Sequence, residues 1–146
     1  MTASAHPGTR WLLTCTPELD GEDVIAWDWE DSPDGLALIP LGVLFDVIHV
    51  RRSLGLTALG RMHAAGQHVG PVLDDLLQAE LDVLVPANTA TDWSCPSTIA
   101  YGKGRGLLCP RPGEAFAGCS WLVVPDGSGS LTDPRQLFAA LRAAGA

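Results

Sequence analysis

The chain has 146 residues, of which 47% are hydrophobic, so it can bury the core of one domain and is not disordered as a whole. It contains no apolar run of the roughly 20 residues that a membrane helix needs, and residues 1–10 lack the apolar stretch of a secretory signal. We therefore expect a cytoplasmic protein that does not associate with membranes.

The pattern of apolar residues and turn formers predicts a single α+β domain over residues 1–146, with a loose start at residues 1–10. Predicted strands cover residues 11–16, 36–39, 43–50, 81–85 and 119–124, and a hairpin-like pair of strands lies within 98–110. Predicted helices begin at a capping Ser53 and end at Gly66, cover 74–79, and begin again at Thr132-Asp133-Pro134. This order indicates an α/β sandwich in which a mixed β-sheet carries helices on one face.

The net charge of −8 arises in one segment, residues 17–34, which holds 8 of the 17 acidic residues and none of the basic ones. Trp27 and Trp29 alternate within it, so in an extended chain both rings would point to one side and could contact a partner or the body of the protein. Three interpretations stay open: a solvated acidic surface, a docking surface for a basic protein, or a strand that shields a basic groove. The acidic excess argues against tight binding of nucleic acid.

The apolar run 43–50 is typical of a buried central strand, and it brings three candidate functional residues with it. Side chains alternate along a strand, so Asp46 is expected on one face, and His49 and Arg51 on the other. His49 and Arg51 together can bind an anion, although a half-buried His beside a surface Arg is also a common structural pair. Asp46, inside the apolar run, requires a backbone donor or Arg52 as its partner.

A glycine-rich stretch, Tyr101-Gly-Lys-Gly-Arg-Gly106, lies in a locally basic region. Glycines allow backbone N–H groups to approach a phosphate, and Lys103, Arg105 and Arg111 would add positive charge. The spacing differs from a P-loop, and a plain hairpin turn explains the same residues.

The cysteines have no close spacing, so reduced and mostly buried thiols are expected. Two alternatives remain: a structural zinc site formed by Cys95, Cys109 and Cys119 with His49, and a nucleophilic pair of His49 with Cys95 or Cys119.

Residues 35–62, GLALIPLGVLFDVIHVRRSLGLTALGRM, and the later Trp121-Leu-Val-Val-Pro-Asp-Gly127 resemble the N-terminal domain of bifunctional DNA primase/polymerases. This is the prim-pol type of archaeo-eukaryotic primase, and the similarity is to its short, divergent actinobacterial members over roughly residues 25–142. The resemblance implies an RRM-like sheet that holds nucleotide and template.

The resemblance also implies a DxD metal pair on the strand before the helix, and the matching positions here are His49-Val50-Arg51. The family's Ser-x-His signature has no histidine in the matching residues 88–99, and a third acid has only Asp126 as a match. Two-metal phosphoryl transfer requires carboxylates, so Mg or Mn would act only if some activity survived, and no cofactor is otherwise expected.

These observations lead to three hypotheses. The first is a catalytically degenerate prim-pol-like domain that binds a nucleotide or another anionic small molecule or acts as a regulatory module, with Asp46 and His49 as candidate catalytic residues and Arg51, Lys103, Arg105 and Arg111 as phosphate ligands. The second is a module that binds a basic protein through Trp27 and Trp29 of segment 17–34. The third is an enzyme of another class that uses His49 and a cysteine.

Overall fold

The computed structural model describes residues 6–15, 29 and 35–146 and confirms an α+β sandwich. The described helices are α1 (Pro7–Leu13), α2 (Arg52–Ala64), α3 (Thr89–Asp92) and α4 (Pro134–Ala144). The strands are β1 (Leu36–Pro40), β2 (Phe45–Arg51), β3 (Val72–Asp75), β4 (Glu80–Pro86), β5 (Thr98–Tyr101), β6 (Gly106–Pro110), β7 (Ala115–Phe116) and β8 (Cys119–Val123).

The strands form two sheets, one with six strands in the order β5-β2-β4-β3-β8-β7 and one that pairs β1 with β6. All pairings between the described strands are antiparallel, whereas the sequence predicted a mixed sheet. β2 lies between β4 and β5, which confirms its prediction as a central strand. It begins at Phe45 rather than Val43, because Gly42 N–H donates to Phe45 O at 2.8 Å and turns the preceding residues away.

The large sheet separates two cores. On its back face, alternate residues of β2 and β4 pack with α2 and α4 around Ile48, Val83 and Leu141. On its front face, the other set of alternate residues packs under the β1–β6 sheet around Phe45 and Leu84. The β1–β6 sheet covers only part of the front face, and the end of β2 that leads into α2 is left open to solvent.

The segment 11–16 was predicted as a strand, and this is wrong for the residues described, because 11–13 belong to α1. Pro7 occupies the first turn, where its missing N–H costs nothing, and the His6 ring accepts the Gly8 N–H at 2.9 Å. Leu12 and Cys15 are both buried and lie three residues apart, which suits a helical turn. A short apolar run fits both the helical period of 3.6 residues and the strand period of 2, so the sequence could not distinguish a helix from a strand here.

The predicted helix at 74–79 is also wrong: β3 ends at Asp75 and a turn follows. The Asp75 carboxylate accepts the Gln78 N–H at 3.0 Å, and Ala79 has a φ of 57°. The pair 98–110 is not a hairpin, because β5 and β6 belong to different sheets.

Both predicted helix caps need correction, although the helices themselves are confirmed. Ser53 lies inside α2, where its hydroxyl accepts Arg51 Nε–H at 3.2 Å. Thr132 is fully buried and its hydroxyl accepts the Gly70 N–H, while Asp133 caps α4 by accepting Arg135 N–H at 2.8 Å.

Candidate functional site

The alternation of β2 places its polar residues as the sequence predicts, with Asp46 on the back face and His49 and Arg51 on the front. Asp46 is 1% exposed, and its Oδ2 accepts the Ala90 N–H at 2.9 Å, which confirms a backbone donor as its partner. Its Oδ1 has no hydrogen-bond partner among the described residues. Arg52 binds Asp74 instead, at 2.9 and 3.1 Å. Asp46 and His49 therefore do not share a site.

His49 lies between two carboxylates of the neighbouring strand β4. Its Nδ1 is 2.8 Å from Asp82 Oδ1, and its Nε2 is 3.0 Å from Glu80 Oε2. The hydrogen bond to Asp82 is the main reason that the pKa of His49 rises to about 9; partial burial opposes the rise, and Glu80 adds to it. At neutral pH the ring is an imidazolium that donates from both nitrogens.

The strand register explains this cluster. His49 is paired with Asp82, and Arg51 with Glu80, so a His-x-Arg on β2 faces a Glu-x-Asp on β4 across the open part of the front face. Directly opposite residues of an antiparallel pair lie side by side on one face. Glu80 and Asp82 were not among the residues predicted for the site, and the signal available was their alternation with Leu81 and Val83 at the start of β4.

A cavity of about 340 Å³ adjoins His49 on the front face, and a second recess of about 430 Å³ shares His49 with it. The cavity is lined by Leu36, Val47, His49, Asp75, Asp82, Tyr101, Gly106, Leu107, Leu108, Ala117 and Cys119. The Tyr101 ring centroid is 5.9 Å from that of His49, and the Arg105 guanidinium lies 4.7 Å from the Tyr101 ring centroid. Arg51 lines the second recess.

The four basic residues predicted to bind phosphate do not form one group. Arg51 lines the second recess, and Arg105 lies over the ring of Tyr101, which lines the first cavity. Arg111 is elsewhere: its Nη1 is 3.8 Å from Glu114 Oε2, and its guanidinium lies 5.8 Å from the Trp29 ring centroid. Lys103 is exposed on the turn that packs against Gly42. Arg51 and Arg105 are therefore the basic residues that the fold places near His49.

Trp29 is a core residue. It is 6% exposed, and its indole N–H donates to Cys109 O at 2.9 Å, so its ring is packed against the protein rather than presented to a partner. Trp27 and most of segment 17–34 lie outside the described residues, so docking of a basic protein there stays a prediction.

The four cysteines are free and buried, as predicted. Burial raises the pKa of Cys15 to about 12 and that of Cys119 to about 11, so both are protonated thiols at neutral pH. Cys95 belongs to the back core and Cys109 to the front core, so the sheet separates two ligands of the zinc alternative. In the part of the chain described, no three His, Cys, Asp or Glu residues are grouped to hold a metal ion.

None of the helices described is long and apolar enough to span a membrane. Comparison of the chain with protein-family models, with curated proteins and with solved structures found no match.

Proposed function

We propose that this chain is a prim-pol-like domain that no longer transfers nucleotides and instead binds a nucleotide, or a similar anionic small molecule, as a regulatory module. The observation that carries the proposal is the His-x-Arg of β2 that faces the Glu-x-Asp of β4. His49 and Arg51 occupy the positions where the resemblance places a metal-binding DxD pair, so cationic groups stand where metal-binding acids would be expected.

Loss of nucleotidyl transfer follows from the chemistry of His49 and its two carboxylate partners. Two-metal phosphoryl transfer needs carboxylates whose oxygens are free to hold the metals. Here Asp82 and Glu80 each bind the His49 imidazolium through one oxygen. A metal ion at this point would have to displace a protonated ring from two hydrogen bonds, against the repulsion of its charge.

Retained ligand binding is supported by the shape and rim of the two cavities. Their volumes of about 340 and 430 Å³ lie within the range of small-molecule sites. Tyr101 offers an aromatic surface in the first cavity and contacts the Arg105 guanidinium, and Arg51 lines the second recess. Guanidinium groups of this kind can bind phosphate oxygens in pairs.

A thermal-shift experiment tests this function. A ligand that binds only the native state raises the melting temperature, so each nucleoside triphosphate is tested with and without Mg or Mn. We expect a triphosphate to raise the melting temperature of the wild type and to do so less for Arg51→Ala and Arg105→Ala. Arg61→Ala is the matched control, because it also removes an exposed positive charge, from α2 on the back face.

A primer-extension assay with the same protein tests the loss of transfer. We expect no extension with Mg or Mn. Primer extension that is lost in Asp82→Asn would show that the protein is an active nucleotidyltransferase. In the thermal-shift experiment, a melting temperature that no nucleotide changes would contradict the binding role.

A further inference from the structure

A third cavity lies away from His49. It has a volume of about 650 Å³ and lies between α3 and the first turns of α4. It is lined by Asn88, Thr89, Asp92, Trp93, Ser94, Pro134, Arg135 and Phe138, none of which lines either cavity beside His49. Its size is that of a site for a whole small metabolite.

Two aromatic rings form the apolar wall of this cavity, and hydrogen bonds hold the ring of Trp93 and helix α3 in place. The ring centroids of Trp93 and Phe138 are 5.6 Å apart with an interplanar angle of 81°. The indole N–H of Trp93 donates to Thr98 Oγ1 at 2.9 Å, which fixes the ring against β5. The bond from Ala90 N–H to the buried Asp46 fixes α3 against β2. A third aromatic ring can therefore pack here at little further cost in ordering.

Two opposite charges line the same cavity, and no residue that the structure describes neutralises either of them. Asp92 on α3 and Arg135 on α4 both line it, and the side chain of neither forms a hydrogen bond or ion pair with any residue in the described ranges. A guanidinium suits a carboxylate ligand, and a carboxylate suits an ammonium.

We propose that this cavity binds a small aromatic amino acid as a zwitterion. The aromatic ring packs against Trp93 and Phe138, the ligand carboxylate binds Arg135, and the ligand ammonium binds Asp92. This assignment gives the apolar wall, Asp92 and Arg135 each a partner on the same ligand. Binding of an amino acid in this cavity does not depend on nucleotide binding at the front face. In a regulatory module the cavity would be an effector site.

Three related probes test which parts of the ligand are recognised. Phenylalanine carries both charged groups, hydrocinnamate lacks the ammonium, and phenethylamine lacks the carboxylate. Binding is followed by NMR through the indole N–H signal of Trp93, which is assigned by its loss in Trp93→Phe. We expect phenylalanine to shift this signal and each of the other two probes to bind about tenfold more weakly, the loss expected for one charge-assisted contact.

Two variants of the full chain make the test specific. Arg135→Gln should bind phenylalanine no more tightly than phenethylamine, and Asp92→Asn should bind phenylalanine no more tightly than hydrocinnamate. Arg61→Gln, a charge change outside the cavity, should behave as the wild type. Because Asp92 and Arg135 are exposed, we expect both variants to fold, and a melting curve for each checks this.

The proposal is overturned if no probe moves the Trp93 signal at concentrations on the order of 10 mM, a limit that corresponds to negligible affinity. It is also overturned if the three probes bind equally, since the ring alone would then be recognised. Loss of nucleotide binding at the front face would leave these results unchanged, so the two proposals fail separately.

Discussion

His49 keeps a proton between two carboxylates, and this makes the stability of the fold depend on pH. Its pKa is raised from 6.5 to about 9, so the folded state holds the proton more tightly than the unfolded state does. The stabilisation is complete below pH 6.5 and is lost as the pH rises towards about 9. Allowing for solvent screening at the partly exposed Glu80, we expect the free energy of unfolding to fall by roughly 1–2 kcal/mol across this window.

Denaturant unfolding at the two ends of the window measures this change. His49→Gln keeps hydrogen-bonding capacity without the titration, so its stability should be nearly flat over the same range. Burial raises the pKa of Cys15 and Cys119 from 9.0 in the folded state, so these thiols lower the free energy of unfolding only above this window. If wild type and His49→Gln show the same dependence, His49 is not the group responsible.

The Arg52–Asp74 pair gives a second prediction at this scale. Asp74 is 5% exposed, and Arg52 is its partner through two hydrogen bonds, of 2.9 and 3.1 Å. Arg52→Gln should lower the melting temperature because it leaves a buried carboxylate without its counter-charge. Asp74→Asn in the Arg52→Gln background should recover part of the loss. A further fall in the double variant would show that the charge pair is not what Asp74 requires.

The sequence predicted half of the candidate site. Alternation along β2 is a local property, so the common face of His49 and Arg51 and the opposite face of Asp46 could be predicted from spacing alone. The partners Asp82 and Glu80 lie about 30 positions further along the chain. Their approach to His49 depends on the register of β2 against β4, which no local pattern encodes.

At the scale of elements, α2 packs against the sheet through a glycine, and this allows a comparison within one helix. A Cβ added to Gly55 would lie 2.7 Å from Leu81 Cδ1 and 2.9 Å from Val50 Cγ1, both in the buried back core. A Cβ added to Gly60 would meet nothing within 4 Å. Gly55 therefore lets the helix approach the sheet closely, whereas Gly60 only lowers helix propensity.

Gly55→Ala should destabilise the protein by about 1–2 kcal/mol through overpacking, and Gly60→Ala should stabilise it by roughly 0.5–1 kcal/mol. Chemical denaturation of the two variants beside the wild type measures both. Equal effects at the two positions would contradict the close packing of α2 on β2 and β4.

The helices and strands were predicted accurately where the sequence has a long apolar run or a clear helix-start signal. β2, β4 and β8 have such runs, and α4 has Pro134 at its start. Prediction failed for α1 and β3, whose short sequences suit more than one structure and take their conformation from the core that they join. Thus Leu12 is buried in α1, and Asp74 is held in β3 by Arg52 from another element.

At the scale of the whole molecule, all four thiols are buried, three of them in the two cores and Cys119 at the wall of the cavity beside His49. Cys15 and Cys109 lie in the front core and Cys95 in the back core, and burial raises the pKa of each. We expect no reaction of the native protein with a thiol reagent at neutral pH and reaction of all four thiols after denaturation. Fast modification of one native thiol would favour the hypothesis of a cysteine enzyme, with Cys119, which lines the same cavity as His49, as the first residue to examine.

The division of 98–110 between two sheets is the main feature of the topology that the sequence could not predict. β5 extends the large sheet at β2, and β6 crosses over to pair with β1. Gly102 makes the crossing possible, because a Cβ there would lie 2.9 Å from Asp46 Oδ2. The crossing closes the cavity between Tyr101 and the β1–β6 sheet, so a glycine-rich stretch that fits a hairpin turn helps to build the site.

The most direct test of nucleotide binding at the front face is an NMR titration of the isotopically labelled protein with a nucleoside triphosphate. We predict shifts at the front-face residues of β2, β4 and β5, centred on His49, Asp82 and Tyr101, with α2 and α4 unaffected. Absence of shifts, or shifts confined to the helices, would contradict nucleotide binding at this site.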